Sequence, residues 1–138
     1  MSGRAFFDTN IFIYLYAENE REKQAICKEV INKANECVTS TQILNEINNV
    51  LIKKWKLPVD IIKIIQHDVR RISEVKQINE DTIDKAIDLS ARNGFSYFDC
   101  LMLASALEGN CQEIFTEDMN DGQIINETLK IVNPFTQA

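Results

Sequence analysis

Short apolar segments alternate with longer segments of helical periodicity along this chain, and that alternation restricts the fold more than any other sequence feature. Residues 4–7 are mainly apolar and aromatic, and they are followed by Asp8-Thr9-Asn10, which suits a turn or a helix N-cap. This segment predicts a buried first strand. Further strands are predicted at residues 37–38, 114–116 and 129–132, with a weaker one at residues 75–78.

Helices are predicted between these strands from the spacing of apolar residues and from capping signals. They cover residues 20–35, 39–51, 58–71 and 79–94, and a last one begins at Ser96. Thr39 and Gln42 form a T-x-x-Q capping box for the second helix, and Gly94 is a C-terminal stop for the fourth. The helix after Ser96 is apolar on nearly all sides, which predicts a place in the core. The alternation favours an α/β fold with a mainly parallel sheet of four to five short strands, covered on both faces.

A chain of 138 residues with 45% hydrophobic residues suits one domain over residues 1–138. The four cysteines include no C-x-x-C pair and three of them adjoin apolar residues, so buried reduced thiols are expected and a zinc site is not. No apolar segment approaches the roughly 20 residues that a membrane helix requires. We therefore expect a cytoplasmic protein that does not bind membranes.

The formal net charge of −6 argues against a protein that grips nucleic acid through bulk positive charge. A local strip of basic residues could still hold a phosphate backbone, and one group of them falls together in the sequence. Its members are Lys53, Lys54, Lys56, Lys63, Arg70 and Arg71. A solvated helix face explains these residues at least as well.

Three aspartates are predicted at the carboxyl end of the sheet, where ligands bind in open parallel sheets. Asp8 closes the first strand, and Asp118 lies two residues beyond Thr116 at the end of another. Asp99 lies in the first turn of the apolar helix that precedes that second strand. The sequence thus places three carboxylates near one edge of the sheet.

Each of these acids also has a structural explanation. Asp8 could cap the next helix, and Asp99 could form an S-x-x-D capping box with Ser96. Asp118 and Asp121 could form Asx-turns in the loop that follows the strand. None of the three aspartates is convincing as a functional residue when it is taken alone.

Glu46 is more informative because it borders the apolar stripe of its helix, about 40° from Val50 at 100° per residue. A glutamate in that position is half desolvated and needs a partner. The alternative, without a functional role, is that Lys53 or Lys54 supplies the partner, or that the side chain reaches water.

If Asp8, Glu46, Asp99 and Asp118 converge, either protons or cations must neutralise them. Two unit charges about 5 Å apart repel by roughly 3 kcal/mol at an effective dielectric constant of about 20. All-oxygen ligands select magnesium, manganese or calcium, and a magnesium ion that keeps several waters suits phosphate chemistry. The sequence therefore predicts a site for a hard divalent cation.

Other chemistries are disfavoured by what the sequence lacks. The single histidine, His67, stands among polar and charged residues, which removes most mechanisms that use histidine as both base and acid. The four glycines form no phosphate loop and no dinucleotide-binding fingerprint, and no G-x-S-x-G motif is present. What remains is a metal-activated water that attacks phosphorus.

The acidic motifs, in their order along the chain, resemble those of PIN-domain ribonucleases, and more narrowly the VapC-type toxins of toxin–antitoxin pairs. The resemblance runs from about residue 4 to residue 135. It is carried by Phe6-Phe7-Asp8-Thr9-Asn10, Glu46, Tyr97-Phe98-Asp99 and Thr116-Glu117-Asp118-Met119-Asn120-Asp121-Gly122.

The resemblance implies a three-layer α/β/α fold, a homodimer, an RNA substrate and a cognate antitoxin that inserts a peptide near the site. It implies that the catalytic and metal-binding residues are Asp8, Glu46, Asp99 and Asp118. Asp8 and Asp99 would be the direct ligands of Mg²⁺ or Mn²⁺, while Thr116 and Asn10 would orient the acids. Asp121 would be either a fifth acid near a second metal or a turn residue.

Three other functions stay open at this stage. An aspartyl phosphatase of the haloacid dehalogenase type could use Asp8 as its nucleophile, although Asn10 stands where that motif has a second aspartate. A structure-specific DNA nuclease of related fold would use the same acids. A non-catalytic regulatory domain could merely bind a cation.

Overall fold

The computed structural model describes residues 3–136, apart from the side chain of Asn93, and shows strands and helices that alternate as predicted. The strands are β1 Arg4–Phe7, β2 Glu36–Ser40, β3 Glu74–Lys76, β4 Glu113–Phe115, β5 Ile124–Ile125 and β6 Leu129–Val132. The helices are α1 Thr9–Tyr14, α2 Arg21–Lys33, α3 Thr41–Asn49, α4 Val59–Ile72, α5 Glu80–Asn93 and α6 Tyr97–Glu108. Helix α3 continues into a π-helical turn, Val50–Lys54.

The described strands form one sheet in the order β3-β2-β1-β4-β6-β5, and every pairing except β5 with β6 is parallel. This confirms the mainly parallel α/β sheet, but the predicted number of four to five strands is wrong because the sheet has six. The missed strand, β5, is two residues long and turns back onto β6 through Asn126 and Glu127, both with positive φ. A turn of this shape usually carries a glycine, and the Asn-Glu pair provides no such signal.

Parallel pairing brings the carboxyl ends of three strands to one edge of the sheet. Phe7 in β1 lies opposite Phe115 in β4, and Phe6 lies opposite Val38 in β2. The pairing continues one residue further, because the backbone N–H of Asp8 donates to the carbonyl of Phe115 at 3.1 Å. Asp8 therefore leaves the sheet beside the segment that follows β4.

The core beneath this edge is built from large apolar side chains. Phe7 stacks on Phe115 with ring centroids 5.1 Å apart, and the edge of Phe12 packs against Phe7 at 6.2 Å. Helix α6 confirms the predicted core position, because every residue from Cys100 to Ala106 is buried. Burying such side chains is the main favourable contribution to folding, so the acidic edge rests on a rigid base.

The helix caps agree with the sequence patterns at three positions and disagree at one. Asn79 caps α5, Gly94 ends it in the left-handed conformation, and Ser96 caps α6 as predicted. The predicted capping box of Thr39 and Gln42 is wrong, because Thr39 lies within β2. Ser40 caps α3 instead, since its hydroxyl accepts a hydrogen bond from the N–H of Ile43.

Two further expectations concern membranes and cysteines. Within residues 3–136, no helix is both long enough and apolar enough to cross a membrane. Cys27, Cys37, Cys100 and Cys111 are free thiols, and all but Cys37 are fully buried. Burial raises the pKa of Cys27 and of Cys111 to about 12, so these thiols stay protonated and inert.

Candidate metal and active site

Asp8 lies at the centre of the acidic edge and is held on both carboxylate oxygens. Its Oδ1 accepts the backbone N–H of Thr9 at 2.6 Å, and its Oδ2 accepts the hydroxyl of Thr116 at 2.7 Å. The residue is only 8% exposed. Asp8 also caps α1 through the bond to Thr9, so the structural explanation considered from sequence is real and coexists with a place in the site.

Burial raises the pKa of Asp8 from 3.8 to about 6, against the hydrogen bonds from Thr116 and Thr9, which lower it. The negative charges of Glu46 and Asp118 raise the pKa further. Asp8 is thus a buried carboxylate that lies within electrostatic range of two other acids, and a bound cation would favour its ionised form.

Glu46 reaches the site from α3 through a second threonine contact. The hydroxyl of Thr9 donates to Glu46 Oε1 at 2.6 Å, and the side-chain amide of Gln42 donates to Glu46 Oε2 at 3.3 Å. The residue is exposed, and in the described part of the chain it forms no ion pair with Lys53 or Lys54. Its partners therefore point it toward Asp8.

Asp118 and Asp99 complete the acidic group. The backbone N–H of Asp118 donates to the hydroxyl of Thr116 at 3.3 Å. Desolvation raises the pKa of Asp118, and the charges of Glu117 and Asp99 raise it further. Asp99, in the first turn of α6, is thus close enough to Asp118 to repel it.

Two threonines join the carboxylates of Glu46 and Asp8 and the backbone N–H of Asp118 into one hydrogen-bonded line. Thr9 contacts both Asp8 and Glu46, whereas Thr116 contacts both Asp8 and Asp118. The predicted contact between Thr116 and an acid is confirmed. Thr9 was not predicted from sequence, although its place directly after Asp8, at the start of a helix, was the available signal.

Asn10 contacts Glu117 instead of the acids that it was predicted to orient. The side-chain amide of Asn10 donates to Glu117 at 2.9 Å and to none of the four predicted acids, so the prediction that Asn10 orients them is wrong. The hydroxyl of Tyr14 donates to the same oxygen at 2.7 Å, and Lys23 lies 3.4 Å from the other oxygen. Lys23 also stacks over the rings of Tyr14 and Phe135.

This arrangement makes Glu117 an anchor for the loop that carries Asp118. Two neutral donors and one ammonium group occupy its carboxylate, which therefore has little capacity left for a metal. No sequence pattern indicated the contact, because Asn10 and Tyr14 lie more than 100 residues from Glu117 along the chain.

Asp121 lies in the same loop but is engaged elsewhere. Its Oδ1 accepts the backbone N–H of Asn133 at 2.8 Å, and its Oδ2 accepts the hydroxyl of Thr136 at 3.3 Å. Both oxygens hold the C-terminal segment in place. This geometry favours a structural role for Asp121, as a residue of the turn, over a role as a fifth metal ligand.

The basic strip stays on the surface. Lys53, Lys54, Lys56, Lys63, Arg70 and Arg71 are all exposed. Arg71 pairs with Asp68 at 3.1 Å, and within residues 3–136 no lysine or arginine forms an ion pair with any of the four predicted acids. The charge of the acidic group is therefore not neutralised by side chains that the structure describes.

The donor chemistry of the acidic group fits a hard divalent cation. Across the described residues, no three His, Cys, Asp or Glu side chains stand close enough to form a ready-made metal cluster. Mg²⁺ does not require one, since it is commonly held by one or two carboxylates and keeps several waters. The side-chain oxygen of Gln42, beside Glu46, is buried and accepts no hydrogen bond from the described residues, so a bound water would satisfy it.

Comparison with known protein families decides the assignment. The model of the PIN domain family matches residues 5–120. The chain belongs to the PIN domain family. The match includes Asp8, Glu46, Asp99 and Asp118, and membership supports a nuclease that hydrolyses phosphodiester bonds. PIN-domain nucleases generally use divalent metal ions, which agrees with the oxygen donors found here.

Solved structures with the same fold confirm the three-layer PIN architecture. A toxin–antitoxin complex from Klebsiella pneumoniae superposes with a TM-score of 0.71 at 21% identity, covering 94% of this chain and 97% of that chain. The toxin VapC20 from Mycobacterium tuberculosis, described as cleaving the sarcin–ricin loop, gives 0.65 at 16% identity, covering 80% and 86%. VapBC2 from Rickettsia felis, bound to a fragment of its promoter DNA, gives 0.63 at 14%, covering 94% and 99%. Comparison with curated protein sequences gives no match.

Removing the charge of Asp8 should stabilise the metal-free PIN domain at neutral pH. The raised pKa means that Asp8 binds a proton more tightly in the folded state than in the unfolded state. Protonation of Asp8 therefore stabilises the fold; this stabilisation is fully present below pH 3.8 and is lost as the pH rises through about 6. We expect Asp8→Asn to raise the free energy of unfolding at pH 7.5 by up to about 3 kcal/mol, and the gain to vanish near pH 4. Urea denaturation of the metal-free proteins at pH 7.5 and pH 4 measures this difference in the free energy of unfolding.

Asp84→Asn, which changes an exposed acid on α5, is the matched control and should have little effect at either pH. An Asp8→Asn protein that is less stable than the wild type at pH 7.5 would contradict the burial argument.

Loss of the Tyr14 hydroxyl should loosen the loop that carries Asp118. Tyr14→Phe removes a hydrogen bond to the Glu117 carboxylate but keeps the edge-to-face packing on Phe135. We expect a loss of about 1–2 kcal/mol in unfolding free energy and faster amide hydrogen exchange at Asp118. Tyr16→Phe is the control, because the Tyr16 hydroxyl lies 3.5 Å from Asp68 and contacts neither Glu117 nor any of the four predicted site acids. Unchanged exchange at Asp118 in Tyr14→Phe would show that Glu117 is not an anchor.

Proposed function

We propose that this PIN domain is a Mg²⁺- or Mn²⁺-dependent endoribonuclease and the toxin of a toxin–antitoxin pair. The observation that carries the proposal is the hydrogen-bonded line of Glu46, Asp8 and Asp118, with Asp99 beside it, at the carboxyl edge of the sheet. No lysine or arginine side chain within residues 3–136 forms an ion pair with these acids. Hydrolysis of a phosphodiester through a metal ion needs such an arrangement of oxygen ligands.

Asp8 and Asp99 would hold the metal ion directly, and Asp118 and Glu46 would complete its surroundings. A bound Mg²⁺ supplies a water of lowered pKa and polarises the scissile phosphate. Glu46 or Asp118 would orient the attacking water or take its proton. Thr9 and Thr116 keep the carboxylates in place before substrate arrives.

The proposed substrate is RNA, and the proposed location of the protein is the cytoplasm. VapC20, which shares this fold, is described as cleaving the sarcin–ricin loop. The exposed basic residues of the π-helical turn after α3, of the following loop and of α4 are available for contacts with a phosphate backbone, in a chain whose net charge is −6.

Two protein partners are proposed as well, a second copy of the chain and a cognate antitoxin. Structures of the same fold are described as toxin–antitoxin complexes. Helix α4 exposes Ile61, Ile64 and Ile72 on one face, and an apolar groove of about 240 Å³ beside Ile52 and Val59 runs along the same helix. Exposed apolar surface of this kind marks a protein interface.

Cleavage assays test the catalytic proposal. Asp8→Asn and Asp99→Asn should abolish metal-dependent cleavage of single-stranded RNA, and Thr116→Val should lower its rate by about 10- to 100-fold, because Thr116 positions Asp8. Asp121→Asn should retain activity, because Asp121 bonds the C-terminal segment instead. EDTA should stop the reaction, and Mg²⁺ or Mn²⁺ should restore it.

A parallel assay with DNA of the same sequence separates a ribonuclease from a DNA nuclease. Cleavage that resists EDTA, or wild-type rates in Asp8→Asn, would refute the metal-dependent mechanism. Metal binding without cleavage of any RNA or DNA would favour the regulatory domain.

Self-association can be measured independently of activity. Sedimentation equilibrium at micromolar concentrations should give twice the monomer mass, because the apolar face of α4 would be covered by a second copy. A monomer throughout this range would contradict the homodimer.

A further inference from the structure

Two aromatic side chains stand exposed at the beginning of α6. Phe98 is 65% exposed and Tyr97 is 37% exposed, and their rings meet edge to face with centroids 5.5 Å apart. Among the described large hydrophobic residues, Phe98 is the most exposed. An isolated phenylalanine on the surface needs no explanation, so its surroundings decide whether this one is meaningful.

Phe98 is fixed at the rim of the acidic site. It directly precedes Asp99, whose charge raises the pKa of Asp118. Its backbone carbonyl accepts a hydrogen bond from the side-chain amide of Gln42 at 3.1 Å, and the same nitrogen donates to Glu46 at 3.3 Å. The backbone of the aromatic pair therefore continues directly into Asp99 on α6, and through Gln42 it is linked to Glu46 on α3.

An exposed aromatic ring supplies an attraction for RNA that the charge of this chain does not. Unpaired bases stack on phenylalanine and tyrosine rings whatever their sequence, because every base has a π-face. Stacking requires no positive charge, and the acids beside Phe98 have no described cation paired with them. A base held on the ring would bring its own phosphate toward the carboxylates.

We propose that Phe98, supported by Tyr97, is a stacking platform for an unpaired base next to the scissile phosphate. The proposal rests on the proposed ribonuclease function and narrows its substrate to RNA that is single-stranded or looped at the cleavage position. Bases within a continuous duplex are stacked on their neighbours and are not available to the ring. An exposed aromatic ring bordered by carboxylates suits a base better than it suits an aliphatic protein surface.

Steady-state cleavage of a short single-stranded RNA with a mapped cleavage position tests the platform. Phe98→Ala should lower kcat/KM roughly 10-fold or more, mainly through KM, whereas Phe98→Trp should stay near wild type and Phe98→Leu should remain impaired. Ile124→Ala is the matched control, since Ile124 is 58% exposed on β5, and it should cleave normally. Mn²⁺ affinity, measured by calorimetry, should be the same in all of these variants, which separates stacking from displacement of Asp99.

Abasic substrates locate the stacked base. A single abasic nucleotide, stepped through the positions around the cleavage site, should lower kcat/KM of the wild type at one position by about the same factor as Phe98→Ala does on intact RNA. At that position the two changes should not add, because both remove the same contact.

Several results would overturn the proposal. They are wild-type cleavage by Phe98→Ala, full activity of Phe98→Leu, additive losses with every abasic substrate, or a Phe98→Ala protein that loses self-association while each monomer cleaves normally. The last result would assign Phe98 to a protein interface. Failure of the wild type to cleave any RNA would overturn the proposed function itself, which is a different outcome from cleavage that ignores Phe98.

Discussion

The site depends on one constraint, which is that carboxylates of like charge must be held close together at the edge of the sheet. Two threonines help to meet it through hydrogen bonds. Thr9 bridges the carboxylates of Asp8 and Glu46 with its backbone N–H and its hydroxyl. The Thr116 hydroxyl donates to the Asp8 carboxylate and accepts the backbone N–H of Asp118. These bonds favour the ionised form of Asp8, while burial and neighbouring charge oppose it. The opposition leaves a group for which a hard cation is the natural partner.

The fold provides what these threonines need. Parallel pairing of β1 with β4 places Asp8 beside Thr116, although they are 108 residues apart in sequence. The network of Asn10, Tyr14 and Lys23 around Glu117 then holds the loop after β4 against α1 and α2. Because these contacts join segments from both ends of the chain, the geometry of the acids is a property of the folded domain and not of any local motif.

Charge and aromaticity have separate roles in the proposed ribonuclease. The chain carries a net charge of −6 and its clustered basic residues are confined to the exposed surface of residues 53–71, so bulk attraction for RNA is weak. A metal ion would reverse the local field at the carboxylates, and the ring of Phe98 would hold a base without any charge. Together, these two proposed contacts would let an acidic protein bind a polyanion at the carboxylates.

The sequence by itself determined the alternation of strands and helices, the burial of α6, and the positions of Asp8, Asp99 and Asp118 near strand ends or helix starts, because periodicity and capping are local properties. It misplaced the cap of α3 at Thr39, since a strand that runs two residues further, to Ser40, cannot be read from a short apolar run. It also assigned Asn10 to the acids and overlooked Thr9, Glu117 and the hairpin strand β5. Only the tertiary structure decided which donor reaches which carboxylate, because those contacts depend on strand register and helix packing between residues far apart in the chain.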